Sequence, residues 1–213
     1  MYQYVSKKEY GPTRDQLLVI IHKVQDLLRK EFTFQYKLIG SGQRHLITRV
    51  EDGNKGYDFD YNLIIQTPEP GTKWNPDVVK KHFMNAFREA VKDTEYKDPQ
   101  DSTSVITIKV VEELNSKIVH SCDFAIIYYP EDDGSHYYKY IRHDKRSNQY
   151  TWENRALSHD SDEKVKWIIK NMLWEKLKTE YLLLKNANKD KDKRSFSLYL
   201  EAVNNIFNLH YID

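Results

Sequence analysis

Hydrophobic and polar positions alternate with a helical period near the start of the chain and with a period of two directly afterwards. The sequence predicts a polar tail over residues 1–11 that ends at Gly11-Pro12. Apolar positions over 17–28 follow helical spacing, so the sequence predicts a helix that Thr13 caps and that ends near residue 31. The period of two over 32–39 predicts the first strand.

Helices and strands continue to alternate along the rest of the chain. Asn75 followed by Pro76 is typical of a helix start. The further predicted elements are a strand at 57–66, a helix at 76–92, strands at 104–112 and 117–129, a turn at 132–134, a hairpin of 136–142 with 149–152, one long helix at 161–187 and a last helix at 196–207. This order predicts an α+β protein in which a sheet domain spans 1–160 and C-terminal helices spanning 161–213 pack on it as one compact unit.

Composition narrows the function classes. The 213 residues are 13% aromatic, which is enough for a sizeable core. A formal net charge of +1 gives no reason to expect non-specific nucleic-acid or membrane binding, and the apolar runs are far shorter than the roughly 20 residues of a membrane span. The single cysteine, Cys122, excludes an intramolecular disulfide and zinc ligation by cysteine pairs. We therefore expect a cytosolic protein without a membrane partner.

Three aspartates carry the candidate chemistry. Asp58 and Asp60 are two residues apart in a predicted strand, so both carboxylates point to the same face while apolar neighbours define the other. Asp123 lies among apolar residues in another predicted strand, where an unpaired carboxylate would be costly to bury. Three carboxylates without His or Cys favour Mg²⁺ or Mn²⁺ over zinc. The turn Gly40-Ser41-Gly42 could then hold phosphates through its backbone N–H groups.

In their order, these motifs resemble the DNA polymerase beta-like nucleotidyltransferase superfamily. Gly40-Ser41 comes first, then Asp58-x-Asp60, then a lone Asp123 in an apolar strand. Within the superfamily the chain is most similar to the oligoadenylate synthase and cyclic GMP-AMP synthase branch, and the similarity covers about 13–187 in order and spacing rather than identity. The chain departs from the family pattern after Ser41. The family usually has a small residue and a threonine about five positions on, but here position 46 is Leu and Thr48 is the nearest candidate, and the interval to Asp58 is somewhat long.

The resemblance implies a fold, a reaction and a site. The fold is a mixed sheet flanked by helices, with a short C-terminal helical extension. The reaction transfers a nucleotide from an NTP to a hydroxyl acceptor with two Mg²⁺ or Mn²⁺ ions, and the acceptor is a nucleotide, RNA, a protein or a small molecule. The implied metal ligands and catalytic residues are Asp58, Asp60 and Asp123; the implied nucleotide-binding residues are Gly40, Ser41, Gly42 and Lys170, with Lys166 as a poorer alternative to Lys170.

The sequence alone leaves two other functions possible, and it also allows ordinary structural roles for several of the residues near the site. A minimal nucleotidyltransferase that modifies a protein, tRNA or small molecule carries the same site, and so does a nucleotide-binding module without turnover. Arg44 and His45 lie near the Gly-Ser turn, yet ordinary surface roles explain them, as core packing explains Cys122. Lys170 fits a phosphate ligand and a solvated helix face about equally.

Overall fold

The protein divides into two compact units. The computed structural model describes residues 1–69, 71–130, 137–157, 160–190 and 192–211. One unit consists of Tyr4–Ala156, and the other of Met1–Gln3 together with Leu157–Asp213. The predicted packing of the C-terminal helices on the sheet domain stays a prediction.

The mixture of helices and strands confirms the α+β class. The helices are α1 (Lys7–Leu28), α2 (Gly40–Gln43), α3 (Pro76–Val91), α4 (Asp160–Lys170), α5 (Trp174–Ala187) and α6 (Ser195–His210), with one 3₁₀ turn at Glu113–Asn115. The strands are β1 (Tyr2–Tyr4), β2 (Phe34–Ile39), β3 (Thr48–Val50), β4 (Tyr57–Ile65), β5 (Gln100–Asp101), β6 (Ile106–Glu112), β7 (Lys117–Tyr128), β8 (Tyr137–Asp144) and β9 (Gln149–Ala156).

A mixed sheet forms the centre of the larger unit. Its strand order is β2-β4-β7-β6-β5, and β8 joins β7 to β9. Strands β4 and β7 run parallel, whereas the other paired strands of this sheet are antiparallel. The two strands that carry the aspartates are therefore direct neighbours at the middle of the sheet.

Helices α1 and α3 cover the apolar face of this sheet. Phe59 and Leu63 of β4 are completely buried in the same core cluster as Leu17 of α1 and Phe87 of α3. The rings of Phe87 and Phe124 lie 4.5 Å apart between centroids, which joins α3 to β7. Because side chains alternate along a strand, this packing fixes the register and turns the aspartates to the opposite face.

Helix α1 begins six residues before its predicted start. Ser6 is its N-cap, and the Ser6 hydroxyl accepts a hydrogen bond from the backbone N–H of Glu9 at 3.2 Å. Residues 7–11 therefore belong to the helix rather than to a polar tail, and Pro12 lies inside it. The prediction that Thr13 caps the helix was wrong: Thr13 is buried and its hydroxyl hydrogen-bonds Tyr57 at 2.9 Å. The error arose because the pair Gly11-Pro12 is typical of a helix boundary.

The predicted long helix 161–187 is two helices. Helix α4 ends at Lys170, and Met172 adopts left-handed backbone geometry with φ of 59°. The N–H of Leu173 bonds the carbonyl of Ile168, and the N–H of Met172 bonds that of Ile169, both at 3.0 Å. These two bonds define a Schellman motif, which closes a helix C-terminus. Glycine usually occupies the left-handed position, so a methionine there gave no sequence signal.

The remaining differences are small. Strand β1 lies in the predicted polar tail, and β3 and β5 lie in segments for which no element was predicted. Helix α3 and its Asn75 cap agree with prediction, since Asn75 accepts bonds from the N–H groups of Asp77 and Val78. The predicted turn at 132–134 lies outside the described residues. Within the described ranges, no helix has the length and apolar character needed to cross a membrane.

Candidate active site

Strand register brings the three aspartates onto one face of the sheet. Asp60 of β4 lies directly beside Asp123 of the parallel strand β7, and Asp58 lies beside Ser121. Neighbouring strands are about 4.8 Å apart, so the Asp60 and Asp123 side chains leave the sheet as immediate neighbours. Asp60 and Asp123 are partly buried, whereas Asp58 is exposed.

The carboxylates disfavour one another's charge. Burial, then Asp58, then Asp123 raise the pKa of Asp60 from 3.8 to about 7. Burial and Asp58 also raise the pKa of Asp123, while a hydrogen bond from Thr107 lowers it. A face that concentrates negative charge in this way attracts cations.

The donor set fits a hard divalent cation. Carboxylate oxygens on neighbouring strands are the ligands that Mg²⁺ and Mn²⁺ prefer. Among the described residues, however, no three His, Cys, Asp or Glu side chains converge closely enough to hold an ion as they stand. The structure therefore provides suitable carboxylate ligands on one face of the sheet, but not a complete coordination sphere.

The Gly-Ser turn lies against Asp60. Helix α2, which begins at Gly40, follows β2 directly, and Ile39 at the end of β2 pairs with Asp60. Gly40 has φ of +64°, and a Cβ atom there would stand 2.7 Å from Oδ2 of Asp60. Both facts require glycine, because a side chain at this position would be strained and would displace the carboxylate. The turn and the acid pair therefore form one local arrangement.

Neighbouring contacts hold the turn in place. Nη1 of Arg44 donates to the carbonyl of Gly40 at 2.9 Å, and the N–H of Leu46 donates to the carbonyl of Ser41 at 2.9 Å. Gly42 is buried, and a Cβ there would come within 3.0 Å of Leu38. The residues predicted to bind phosphates thus lie on a fixed backbone next to the acids. Their role in nucleotide binding stays a prediction.

The remaining residues considered from the sequence differ in their surroundings. Lys170 is exposed at the C-terminal end of α4, in the unit that does not contain the aspartates, and Lys166 is exposed on the same helix. His45 accepts or donates a hydrogen bond at 2.9 Å through Nδ1 to the buried Tyr10 hydroxyl. Cys122 is fully buried in the core, and burial raises the pKa of its thiol.

Sequence reasoning missed Thr107, whose hydroxyl reaches Asp123. Its Oγ1 donates to Oδ1 of Asp123 at 2.6 Å because the antiparallel register of β6 and β7 sets the two residues opposite each other. A threonine in a Val/Ile/Thr-rich strand is ordinary, and the pairing of β6 with β7 was not part of the sequence prediction. The strand register was the only signal that could have identified it.

The fold is shared with known nucleotide-bound structures. No protein-family model and no curated protein sequence matches this chain. The structure of the Vibrio cholerae DncV cyclic AMP-GMP synthase with nonhydrolyzable GTP superposes with a TM-score of 0.71 at 12% identity, covering 99% of this chain and 70% of that chain. The 3'-deoxy GTP-bound form of DncV gives 0.70 at 13% identity, covering 99% and 69%.

A third DncV structure contains the linear intermediate 5' pppA(3',5')pG, and it matches with a TM-score of 0.70 at 12% identity over 99% of this chain and 70% of that one. Another is described as a prokaryotic cGAS homolog, with a TM-score of 0.66 at 11% identity over 99% of this chain and 70% of that chain. At such low identity the likeness concerns the fold. This chain has the fold of DncV, and the fold predicted from the sequence is confirmed.

Proposed function

We propose that this protein is a divalent-metal-dependent nucleotidyltransferase that transfers a nucleoside monophosphate from an NTP to a hydroxyl group. One observation carries the proposal: Asp60 lies beside Asp123 across the sheet and against Gly40 of the Gly-Ser turn. The carboxylates would bind cations next to a backbone that would hold phosphates, and this arrangement supports the proposal. The shared fold with nucleotide-bound DncV structures supports the same conclusion.

Asp58, Asp60 and Asp123 would hold Mg²⁺ or Mn²⁺, with two ions as the expected number. Bound there, the ions supply Lewis-acid stabilisation of the attacking and leaving oxygens. The Gly40–Gly42 backbone and the Ser41 hydroxyl bind the β- and γ-phosphates, and Lys170 adds a positive charge. These contacts align the triphosphate for in-line attack.

Asp123 is the proton acceptor in this scheme. The acceptor hydroxyl transfers its proton to the Asp123 carboxylate while its oxygen bonds the α-phosphorus, and the bond to the bridging oxygen breaks to release pyrophosphate.

A second nucleotide is the favoured acceptor, because DncV, which shares the fold, is a cyclic AMP-GMP synthase whose linear intermediate is known. The expected product is then an oligonucleotide or cyclic nucleotide. The chain spans about 70% of the length of the DncV chain. A protein, tRNA or small-molecule acceptor is the alternative.

Incubation with each NTP and with NTP mixtures, plus Mg²⁺ or Mn²⁺, followed by mass spectrometry tests this function. Formation of linked nucleotides from NTPs alone supports the favoured product. Product formation only after a cell extract is added identifies the alternative acceptors. Thermal stabilisation by NTP and Mg²⁺ without pyrophosphate release in either condition would leave a nucleotide-binding module and contradict the proposed activity.

A further inference from the structure

A hydroxyl group fixes one oxygen of the third aspartate. Thr107 lies opposite Asp123 in the antiparallel pair β6–β7, and its Oγ1 donates to Oδ1 of Asp123 at 2.6 Å. Hydrogen bonds from a hydroxyl to a carboxylate are short and comparatively strong. Among the described residues, Thr107 is the side-chain donor found on this carboxylate, so it limits how the carboxylate can rotate.

This hydrogen bond is the second of two consecutive bonds, which run from Ser102 through Thr107 to Asp123. The Ser102 Oγ lies 3.3 Å from Thr107 Oγ1. A threonine hydroxyl has a single proton, and Thr107 commits it to the ionised Asp123, so Ser102 must donate to Thr107. The order of donation is Ser102 to Thr107 to Asp123, which leaves the threonine rotamer little freedom.

A tight turn with a buried lysine holds Ser102. The N–H of Ser102 donates to the Val105 carbonyl at 3.1 Å, and Lys80 Nζ donates to the same carbonyl at 3.0 Å. Lys80 also forms an ion pair with Asp101 at 2.9 Å, and the lysine side chain is only 3% exposed. Lysines are rarely buried this deeply unless they are paired. The hydrogen-bond chain that ends at Asp123 therefore begins at a turn that Lys80 of α3 anchors.

We propose that Thr107 is a positioning residue that orients Asp123 for cation binding. By occupying Oδ1, it leaves the other carboxylate oxygen for the ion. Hydrogen-bond partners behind metal-binding carboxylates commonly contribute ten- to a hundredfold in affinity. The inference rests on the proposed function, because the orientation of Asp123 matters only where Asp123 holds an ion.

Direct Mn²⁺ binding, followed by electron paramagnetic resonance without turnover, tests the inference. Thr107→Val keeps the branched shape and removes the hydroxyl, so we expect Mn²⁺ affinity to fall about tenfold or more. Thr107→Ser restores the hydroxyl and most of the affinity, and Ser102→Ala causes a smaller loss than Thr107→Val. The matched control is Thr151→Val on β9, whose hydroxyl donates to Glu153 at 3.2 Å, and it should bind as the wild type does.

The outcomes separate this inference from the proposed function. Wild-type affinity in Thr107→Val, together with a loss in Asp123→Asn, overturns the positioning role and leaves the function standing. An equal loss in Thr107→Ser and Thr107→Val also overturns it, because shape rather than the hydroxyl would then matter. No Mn²⁺ binding by the wild type contradicts the proposed metal site itself.

A folding defect does not prevent the test. If Thr107→Val melts below the assay temperature, Ser102→Ala decides, because this variant removes the donor to Thr107 and leaves Thr107 in place. A weakened Mn²⁺ affinity in Ser102→Ala then supports the inference, and an unchanged affinity overturns it.

Discussion

Asp60 is held in an environment that disfavours its own charge. Its folded-state pKa of about 7 exceeds the ordinary 3.8, with burial as the main cause and Asp58 and Asp123 as further causes. Between these two values the folded state binds more protons than the unfolded state, so stability decreases as the pH rises through this window. A cation bound between these carboxylates would relieve their mutual repulsion.

Asp60→Asn should therefore stabilise the metal-free protein in a pH-dependent way. Asparagine has the shape of the protonated acid and carries no charge. In thermal melts with chelator we expect the variant to melt at least about 3 °C above the wild type near pH 8, and the gain to shrink toward pH 4 as the wild-type carboxyl protonates. Asp98→Asn, an exposed loop aspartate, is the control. A gain of equal size at both pH values would show that charge is not the cause.

Gly40→Ala should abolish activity because the added methyl group clashes with Asp60. Gly71→Ala is the matched control, since it separates this clash from backbone strain. The added Cβ would stand 2.7 Å from Asp60 Oδ2, and φ at Gly40 is +64°. Gly71 has φ of +81° but nothing within 4 Å of its Cβ position, so Gly71→Ala introduces backbone strain alone.

Denaturant titration should show a loss of about 1–2 kcal/mol in the free energy of unfolding for Gly71→Ala and at least as large a loss for Gly40→Ala, which adds the clash with Asp60. Only Gly40→Ala should lose pyrophosphate release, because only there does the methyl group displace a carboxylate of the proposed metal site. Retained turnover in Gly40→Ala would mean that the turn and Asp60 do not act together.

The sequence predicted the three aspartates but not the threonine that hydrogen-bonds to Asp123. The period of two placed Asp58 and Asp60 on one face, and burial of Phe59 and Leu63 confirms that side-chain alternation. The hydrogen bond from Thr107 depends on which residue of β6 faces Asp123. A one-residue slip would exchange the two faces, and local sequence does not specify the register between distant strands.

At the scale of elements, the break between α4 and α5 stores backbone strain at an exposed residue. Met172 is 93% exposed and adopts φ of 59°, a conformation that costs a residue with a Cβ about 1–2 kcal/mol. Met172→Gly should remove this cost and raise the free energy of unfolding by about 1 kcal/mol, since glycine is the preferred residue at this position of a Schellman motif.

Chemical denaturation of Met172→Gly and Met172→Ala measures the effect. Alanine removes the side chain and keeps the strain, so only the glycine variant should gain stability. Equal stability in the two variants would contradict the assignment of strain to the backbone at this position.

Element boundaries were predictable only where the usual residues mark them. Asn75 and Pro76 start α3 as expected because both residue types are typical of that position. Helix α1 starts after Ser6, where the spacing Ser6-x-x-Glu9 matches a capping box that the prediction overlooked. Helix α4 ends at a methionine where glycine would be usual, so its end carried no sequence signal although local hydrogen bonds close it.

For the whole molecule, the resemblance to a known family predicted more of the fold than the local hydrophobic patterns did. The period rules predicted an α+β protein, but not that β4 and β7 run parallel at the centre of the sheet with β2 and β6 on either side. That topology arises from contacts distant in sequence, which the order of motifs captured only through similarity to a known fold. The structural match to DncV over 99% of the chain confirms this part of the prediction.

The measurement that tests the central claim most directly is pyrophosphate release from NTPs with Mg²⁺ or Mn²⁺. We expect release by the wild type and by the control Asp98→Asn. We expect a loss of at least about a thousandfold in Asp58→Asn and Asp123→Asn, with melting curves that show folded protein, because each aspartate would hold the ions that stabilise the transition state. Wild-type turnover in both folded variants would contradict the assignment of these aspartates as the catalytic site.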